Sequence, residues 1–259
     1  MNTRFTDLVK VIIPIYKAEL SELEMRSLKQ VYKILKPYPL VVIKPEKLNV
    51  SQLISKFPLL TFHSFDNSFF ESIAGYNKLM LSETFYSAFL NTRYILIYQL
   101  DAYVFRDELT DWCSKGYDYM GAPWLRKPVY NLPVISTLMS LAASYYKKTG
   151  KKNKQLLYNK IGNGGFSLRK TESHYLVTKR HNKLIEYFLS QNRNHLYNED
   201  VFWATVPEFT YPGVLEALHF SFDKYPAYCY KLTNHQLPFG CHSWYKRKMK
   251  RFWRPIIKF

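Results

Sequence analysis

The stretch Tyr94-Ile-Leu-Ile-Tyr-Gln-Leu-Asp101-Ala-Tyr-Val-Phe105 constrains this chain more than any other. Its first half is apolar and favours β structure, it then delivers one carboxylate, and it resumes as an apolar segment. A strand with no polar alternation is buried on both faces, which is the situation of a strand inside a mostly parallel sheet covered by helices. Open α/β sheets bind ligands beyond the carboxyl ends of their strands, so Asp101 is the first place to look for chemistry. By local pattern alone, the same acid would equally suit a turn cap after an ordinary core strand.

The surrounding sequence agrees with such a sheet. Leu8 to Ile15 reads as a first, central strand whose end meets a loop at Pro14-Ile15-Tyr16-Lys17. Ser21-Glu-Leu-Glu24 has the form of a capping box, and apolar residues then recur at helical spacing until Pro37-Tyr-Pro39 stops them. Leu40 to Ile43 and Leu59 to Phe65 follow as short strands. From Ser68 to Leu90 the period is helical, with Gly75 as a local weakness best read as a tolerated surface glycine. The alternation predicts an α/β fold, a single domain with a mostly parallel, Rossmann-like central sheet.

Three segments beyond Asp101 carry candidate chemistry. Gly162-Asn-Gly-Gly165 follows a basic segment that starts at Lys147 and reads as a mobile loop, and it leads into a short strand. Its glycines permit positive φ and let a ligand lie against the backbone, although neither the P-loop nor the dinucleotide pattern is present. A helix is expected from Thr171 to Leu189. Asn198-Glu199-Asp200 precedes apolar residues as at a helix start, where acids complement the dipole or, alternatively, serve a reaction. His242 lies beyond a Pro and Gly turn beside Trp244; a lone His is ordinarily structural, but a turn favours exposure to a cleft.

Composition narrows the partners. With 37 Lys and Arg against 20 Asp and Glu, the net charge of +17 attracts something anionic. Recognisable nucleic-acid-binding patterns are lacking, so no nucleic acid is expected. The cysteines, Cys113, Cys229 and Cys241, match neither a zinc module nor a disulfide framework and fit reduced thiols in the cytoplasm. No run of 18 apolar residues offers a membrane span. Leu132 to Tyr146 is the nearest approach, and its serines and threonine suit a buried or interfacial segment. The C-terminal residues 245–259 interleave basic with apolar side chains. They are expected to lie on an anionic membrane, with Phe252, Trp253, Ile256 and Ile257 at the acyl boundary and the protein peripheral at the inner face.

The ordered set Gly75 to Leu79, Tyr94 to Phe105, Tyr117 to Trp124, Gly162 to Arg169, Asn198 to Trp203 and Phe239 to Trp244 resembles the GT-A glycosyltransferases, in particular a GT-A-like family of bacterial polysaccharide gene clusters. The resemblance implies a domain over residues 1–244, with about 1–105 as the nucleotide-binding half and 106–244 as the acceptor half, followed by the 245–259 tail. It implies a nucleotide-sugar donor, a UDP-sugar before others, and Mn²⁺ or Mg²⁺ bridging its diphosphate. It also implies a glycan or lipid-linked acceptor in surface polysaccharide synthesis.

The Asp-x-Asp element of that family aligns with Gln99-Leu100-Asp101, so the first acid is replaced by Gln99 while Asp101 stays as a metal ligand, with His242 completing the shell. Gln99, Asp101, Gly164, Gly165, Asn77 and Lys78 are the implied donor-site residues. Glu199 and Asp200 resemble the acidic pair that supplies a general base in inverting members, Asp200 being slightly favoured. Two rivals are a nucleotidyl or phosphoryl transferase, which would need further acids such as Asp107 or Asp118, and a noncatalytic glycan- or membrane-binding protein.

Overall fold

The computed structural model describes residues 5–126, 128–149, 153–191 and 194–258. Its strands are β1 (Asp7–Pro14), β2 (Leu40–Pro45), β3 (Leu60–Phe65), β4 (Thr92–Tyr98), β5 (Tyr103–Val104), β6 (Tyr119–Met120), β7 (Phe166–Lys170), β8 (Ser221–Phe222) and β9 (Gly240–Cys241). The main sheet runs β3-β2-β1-β4-β7-β6; the first four are parallel, β7 pairs antiparallel with β4, and β6 pairs antiparallel with β7 and so runs with the first four. β1 is central, as its β-branched run implies. The mixed α/β fold with a mostly parallel six-stranded sheet is the expected one.

Strand alternation distributes the core. Val9, Val11 and Ile13 of β1 join Tyr94, Leu96 and Tyr98 of β4 on one face, packed under Leu28, Val31 and Leu35 at the helix Glu22–Ile34. That helix begins at the capping box, with Ser21 and Glu24 bonded reciprocally. Ile12, Ile95 and Ile97 point to the other face and meet Leu79, Phe85, Tyr86, Phe202 and Trp203. Each apolar side chain of this kind buried from water contributes roughly 1.5–3 kcal/mol, so a two-faced sheet with helices on both sides is strongly favoured.

Several boundaries differ from the sequence reading. The expected helix from Ser68 to Leu90 is broken into a 3-10 turn Asn67–Phe69 and helices Ile73–Met80 and Glu83–Ser87, because Ser72 and Ser82 each cap a new start. Gly75 is not a tolerated surface glycine, since a Cβ there would overlap the Ser68 carbonyl oxygen. The expected helix from Thr171 to Leu189 is interrupted at His181, giving Thr171–Arg180 and Asn182–Ser190. In the expected mobile loop, Lys154–Leu157 forms a 3-10 turn, whereas 150–152 lie outside the described residues.

The C-terminal segment requires a further correction. Trp253 and Ile257 are buried in a third apolar cluster with Leu218, Phe222 and Trp244, and Trp253 stacks on Phe105. Phe252 packs partly against the same cluster and Ile256 stays 37% exposed, so it is Trp253 and Ile257 that do not lie at an acyl boundary. They close the small sheet β5-β9-β8 from outside. No helix among the described residues is long and apolar enough to cross a membrane.

His174 is buried among aromatic rings, with Trp203 at 4.5 Å and Phe209 at 4.7 Å, and its Nδ1 bonds the Lys170 carbonyl at 2.9 Å. Burial, with Arg169 nearby, holds its imidazole well below its ordinary pKa. The unfolded chain therefore takes up this proton first. The contribution of this one group is complete above about pH 6.5 and falls below it, by up to about 1.4 kcal/mol per pH unit. Urea unfolding between pH 7.5 and 5 should show that slope, and His174→Phe should flatten it.

Candidate active site

Two pairing events build the site. The β4–β7 ladder sets Tyr98 opposite Phe166 and continues as a bond from the Gln99 N–H to the Gly165 carbonyl, 2.8 Å, which brings the glycine turn beside the end of β4. The chain then turns, the Ala102 N–H bonding the Gln99 carbonyl at 2.8 Å, and leaves Asp101 in that turn rather than in the strand. Next, β5 pairs antiparallel with β9, Tyr103 opposite Cys241, which carries His242 to Asp101. The Trp244 indole seals the junction by donating to the Ala102 carbonyl at 3.1 Å.

His242 Nε2 stands 2.8 Å from Asp101 Oδ1, and its Nδ1 stands 3.2 Å from Asp223 Oδ1. Lys246 Nζ lies 3.2 Å from Asp101 Oδ2. Burial opposes the charge on Asp101, but the His242 imidazolium and Lys246 outweigh it and hold the carboxyl well below the usual carboxylate range. Burial likewise opposes the charge on His242, and the two carboxylates outweigh it, pushing the imidazole up to about 9. A Cβ at Gly165 would overlap His242 Nε2, and one at Gly164 would overlap Glu199 Oε1. The glycines are thus required by side chains packed on them. Positive φ in this turn falls instead on Asn163, at 71°.

The helix Glu199–Thr205 divides the two acids. Glu199 is buried and pairs with Arg169, Nη2 to Oε1 at 3.2 Å. Burial raises its pKa above the ordinary range and Arg169 opposes this. Asp200 has no ion-pair partner among the described residues; burial raises its pKa, and Asp223 adds to the rise. Asn198 does not cap the helix with its side chain, whose Oδ1 accepts from Asn77 Nδ2 at 3.2 Å. Asn77 Oδ1 in turn accepts the Glu199 N–H at 3.2 Å, so Asn77 supplies the missing cap from a neighbouring helix.

A cavity of about 580 Å³ opens at the carboxyl ends of β1 and β4, lined by Gln99, Asp101, Gly164, Gly165, Asn77, Glu199, Asp200 and His242. Its position is where the strand order reverses, the crevice open α/β sheets use. Lys78 is exposed at the last turn of its helix and does not line the cavity. Lys246, Asp223 and Arg169 escaped the sequence reading, as did the roles of Tyr16 and Lys17, which also line it. None of Lys246, Asp223 and Arg169 has a local sequence signal, because each reaches the site through long-range packing. A second cavity, about 460 Å³, is lined by Trp124, Tyr130, Tyr158 and Tyr225 and shares Asn198 and Asp200 with the first.

A family profile described as a protein of unknown function, DUF5672, matches residues 59–242, well over half of the chain. The chain belongs to that family. Among curated protein sequences none matches. In solved structures, the galactosyltransferase LgtC in complex with donor and acceptor sugar analogues is 13% identical, with 94% of this chain and 93% of that one covered at a TM-score of 0.55. The glycosyltransferase GlyE of Streptococcus pneumoniae TIGR4 is 12% identical at 0.53, over 98% of this chain and 61% of its own length. The bifunctional glycosyltransferase WbbM is similar at 11% identity and 0.51, over 93% of this chain and 46% of its own. The DUF5672 chain therefore has the GT-A-like fold.

Among the described residues no group of three or more His, Cys, Asp or Glu converges as a metal site. Asp101 and His242 nevertheless fit a divalent cation. Once the Nε2 proton is displaced by the cation, they are adjacent oxygen and nitrogen donors facing a cavity large enough for a diphosphate, whose own oxygens would fill the remaining positions.

Arg169→Met should cost about 3–5 kcal/mol in urea unfolding, because it leaves Glu199 buried without its cation. Glu199→Gln, which leaves the Arg169 charge buried without its carboxylate, should cost about as much.

Proposed function

We propose that this chain is a metal-dependent glycosyltransferase that moves a sugar from a nucleotide-sugar donor, a UDP-sugar first, to a glycan or lipid-linked acceptor. The observation that carries the reading is the convergence of Asp101 and His242 in a strand-end cavity that meets a second cavity at Asp200. The galactosyltransferase of like fold is complexed with donor and acceptor sugar analogues, which supports a two-substrate arrangement here.

In this reading the first cavity takes the donor. Tyr16, 58% exposed at the cavity wall, offers a flat face on which a base can stack. Asp101 and His242 would hold Mn²⁺ or Mg²⁺ together with the donor phosphates and water. Such a cation supplies positive charge against the negative charge that builds on the departing nucleoside diphosphate. Asp223 fixes the His242 ring through Nδ1, leaving Nε2 to face Asp101. Lys246 adds a second positive charge beside Asp101.

The acceptor enters from the second cavity. Asp200, shared by both cavities and free of an ion-pair partner among the described residues, accepts the proton of the attacking hydroxyl. Its raised pKa makes it a stronger base than an ordinary carboxylate. Glu199 belongs to the ion pair that positions Asp200 and takes no proton. Base assistance from the acceptor side implies inversion at the anomeric carbon. Surface polysaccharide assembly on the cytoplasmic side is the setting that this reading implies. The nucleotidyl-transferase alternative loses its extra acids, since Asp107 bonds Tyr38, Asp118 bonds Thr210 and Ser173, and neither lines the cavity.

Thermal melts with UDP or GDP should show stabilisation that requires Mn²⁺. The same stabilisation in Asp101→Ala and in His242→Ala would overturn the metal-site assignment. Asp200→Asn should keep donor binding and lose transfer by about 10²–10⁴-fold. Full transfer by that variant, with retention at the anomeric carbon by NMR, would remove Asp200 as the base and leave the donor site standing.

A further inference from the structure

The helix Pro133–Lys148 is unlike the others. Val134, Leu138, Leu141 and Tyr145 are 73%, 62%, 63% and 62% exposed. Their spacing of four, three and four residues places them on one stripe of the helix. Leu132 and Val129, just before it, are exposed too. Its opposite face, with Ile135, Met139, Ala142 and Ala143, is half-buried. Single exposed apolar residues need no explanation, but a continuous apolar stripe marks a surface that something covers.

Charge decides what covers it. Between Asp118 and Glu172 the sequence contains no Asp or Glu and ten Lys or Arg, of which Arg169 is buried against Glu199 and Lys170 pairs with Asp118. Lys148, at the end of the helix, and Lys154, in the turn that follows, are exposed. An apolar stripe with exposed cations at its end fits the boundary of an anionic bilayer, where the stripe enters the acyl edge and the cations meet headgroups. A protein partner would account for the stripe but would not call for the cations.

We infer that the helix Pro133–Lys148 docks this protein on anionic lipid bilayers, a task the C-terminal segment cannot perform with the apolar side chains it buries. The helix is tied to the second cavity from both sides. Gln155 Nε2 donates to the Met139 carbonyl at 2.8 Å, and Lys154, Leu157 and Tyr158 of that neighbouring segment line the cavity. Tyr130, in the turn preceding the helix, lines it as well and faces Tyr158 at 5.9 Å. Docking would therefore hold the mouth of the second cavity close to the headgroup layer. Where the proposed transferase activity holds, this favours an acceptor carried on a membrane lipid.

The test is flotation of the full chain with phosphatidylcholine vesicles, with and without phosphatidylglycerol, at low and high salt. The wild type should float with the anionic vesicles at low salt. The doubly substituted Leu138→Gln/Leu141→Gln should lose at least about tenfold in partitioning, given the transfer energy of two leucines. Lys248→Gln/Arg251→Gln, in the exposed part of the C-terminal helix, should lose less. Both variants should melt as the wild type does and bind nucleoside diphosphate with Mn²⁺ unchanged, which separates failure here from failure of the donor-site reading. Equal flotation of the helix variant, or binding abolished only by the tail variant, would overturn the inference. So would a wild-type dimer in sedimentation velocity that the helix variant converts to monomer without any vesicle binding.

Discussion

The guanidinium of Arg169 binds four parts of the chain at once: Glu199 on one helix, Tyr86 on another, Ser167 on its own strand and the Gly164 carbonyl in the glycine turn. It also lies over the Tyr119 ring. A buried guanidinium is costly to desolvate and persists only when its donors are satisfied and its charge is met. Burial opposes the Arg169 charge, and the Glu199 carboxylate outweighs it and holds the guanidinium cationic. Because both groups are buried, the helix Glu199–Thr205 and the turn 162–165 are fixed relative to β7, and β7 is fixed to β4 by its ladder. The position of Asp200 follows from this chain of constraints.

The same logic separates two kinds of acid at one end of the sheet. Glu199 is consumed by its ion pair, while Asp200, one residue further along the helix, points where two cavities meet. Asp101 and Asp223 are held on either side of His242. Four carboxylates at one end of the sheet therefore sit in different surroundings, although a sequence shows only the letters. Glycine enters for the opposite reason to the expected one: Gly164 and Gly165 make room for Glu199 and His242, while Asn163 takes the left-handed backbone.

Much of the fold was legible because its signals are local. The unbroken apolar run at β4, the β-branched run at β1 and the capping box at Ser21 each act through neighbours in sequence, and each forms where the pattern places it. Helix interruptions at Ser72, Ser82 and His181 were missed because the apolar period continues through them. The C-terminal segment was misread since an amphipathic pattern specifies an apolar face without specifying what that face meets. Here it meets Phe105 and the small sheet rather than lipid.

By itself the sequence determined that the chain would form an α/β sheet with an acid at the end of its central apolar strand, and it singled out the residue types, Asp, His, Gly and the paired acids, that could carry chemistry. Only the tertiary structure decided which of them meet. The β5–β9 pairing joins residues far apart in sequence and sets His242 on Asp101, Arg169 pairs with Glu199 and not with Asp200, and Lys246 and Asp223 join the site from segments with no motif of their own. The physical reason is that periodicity and capping act over a few residues, whereas the charge state and reach of a side chain depend on partners that only long-range packing supplies.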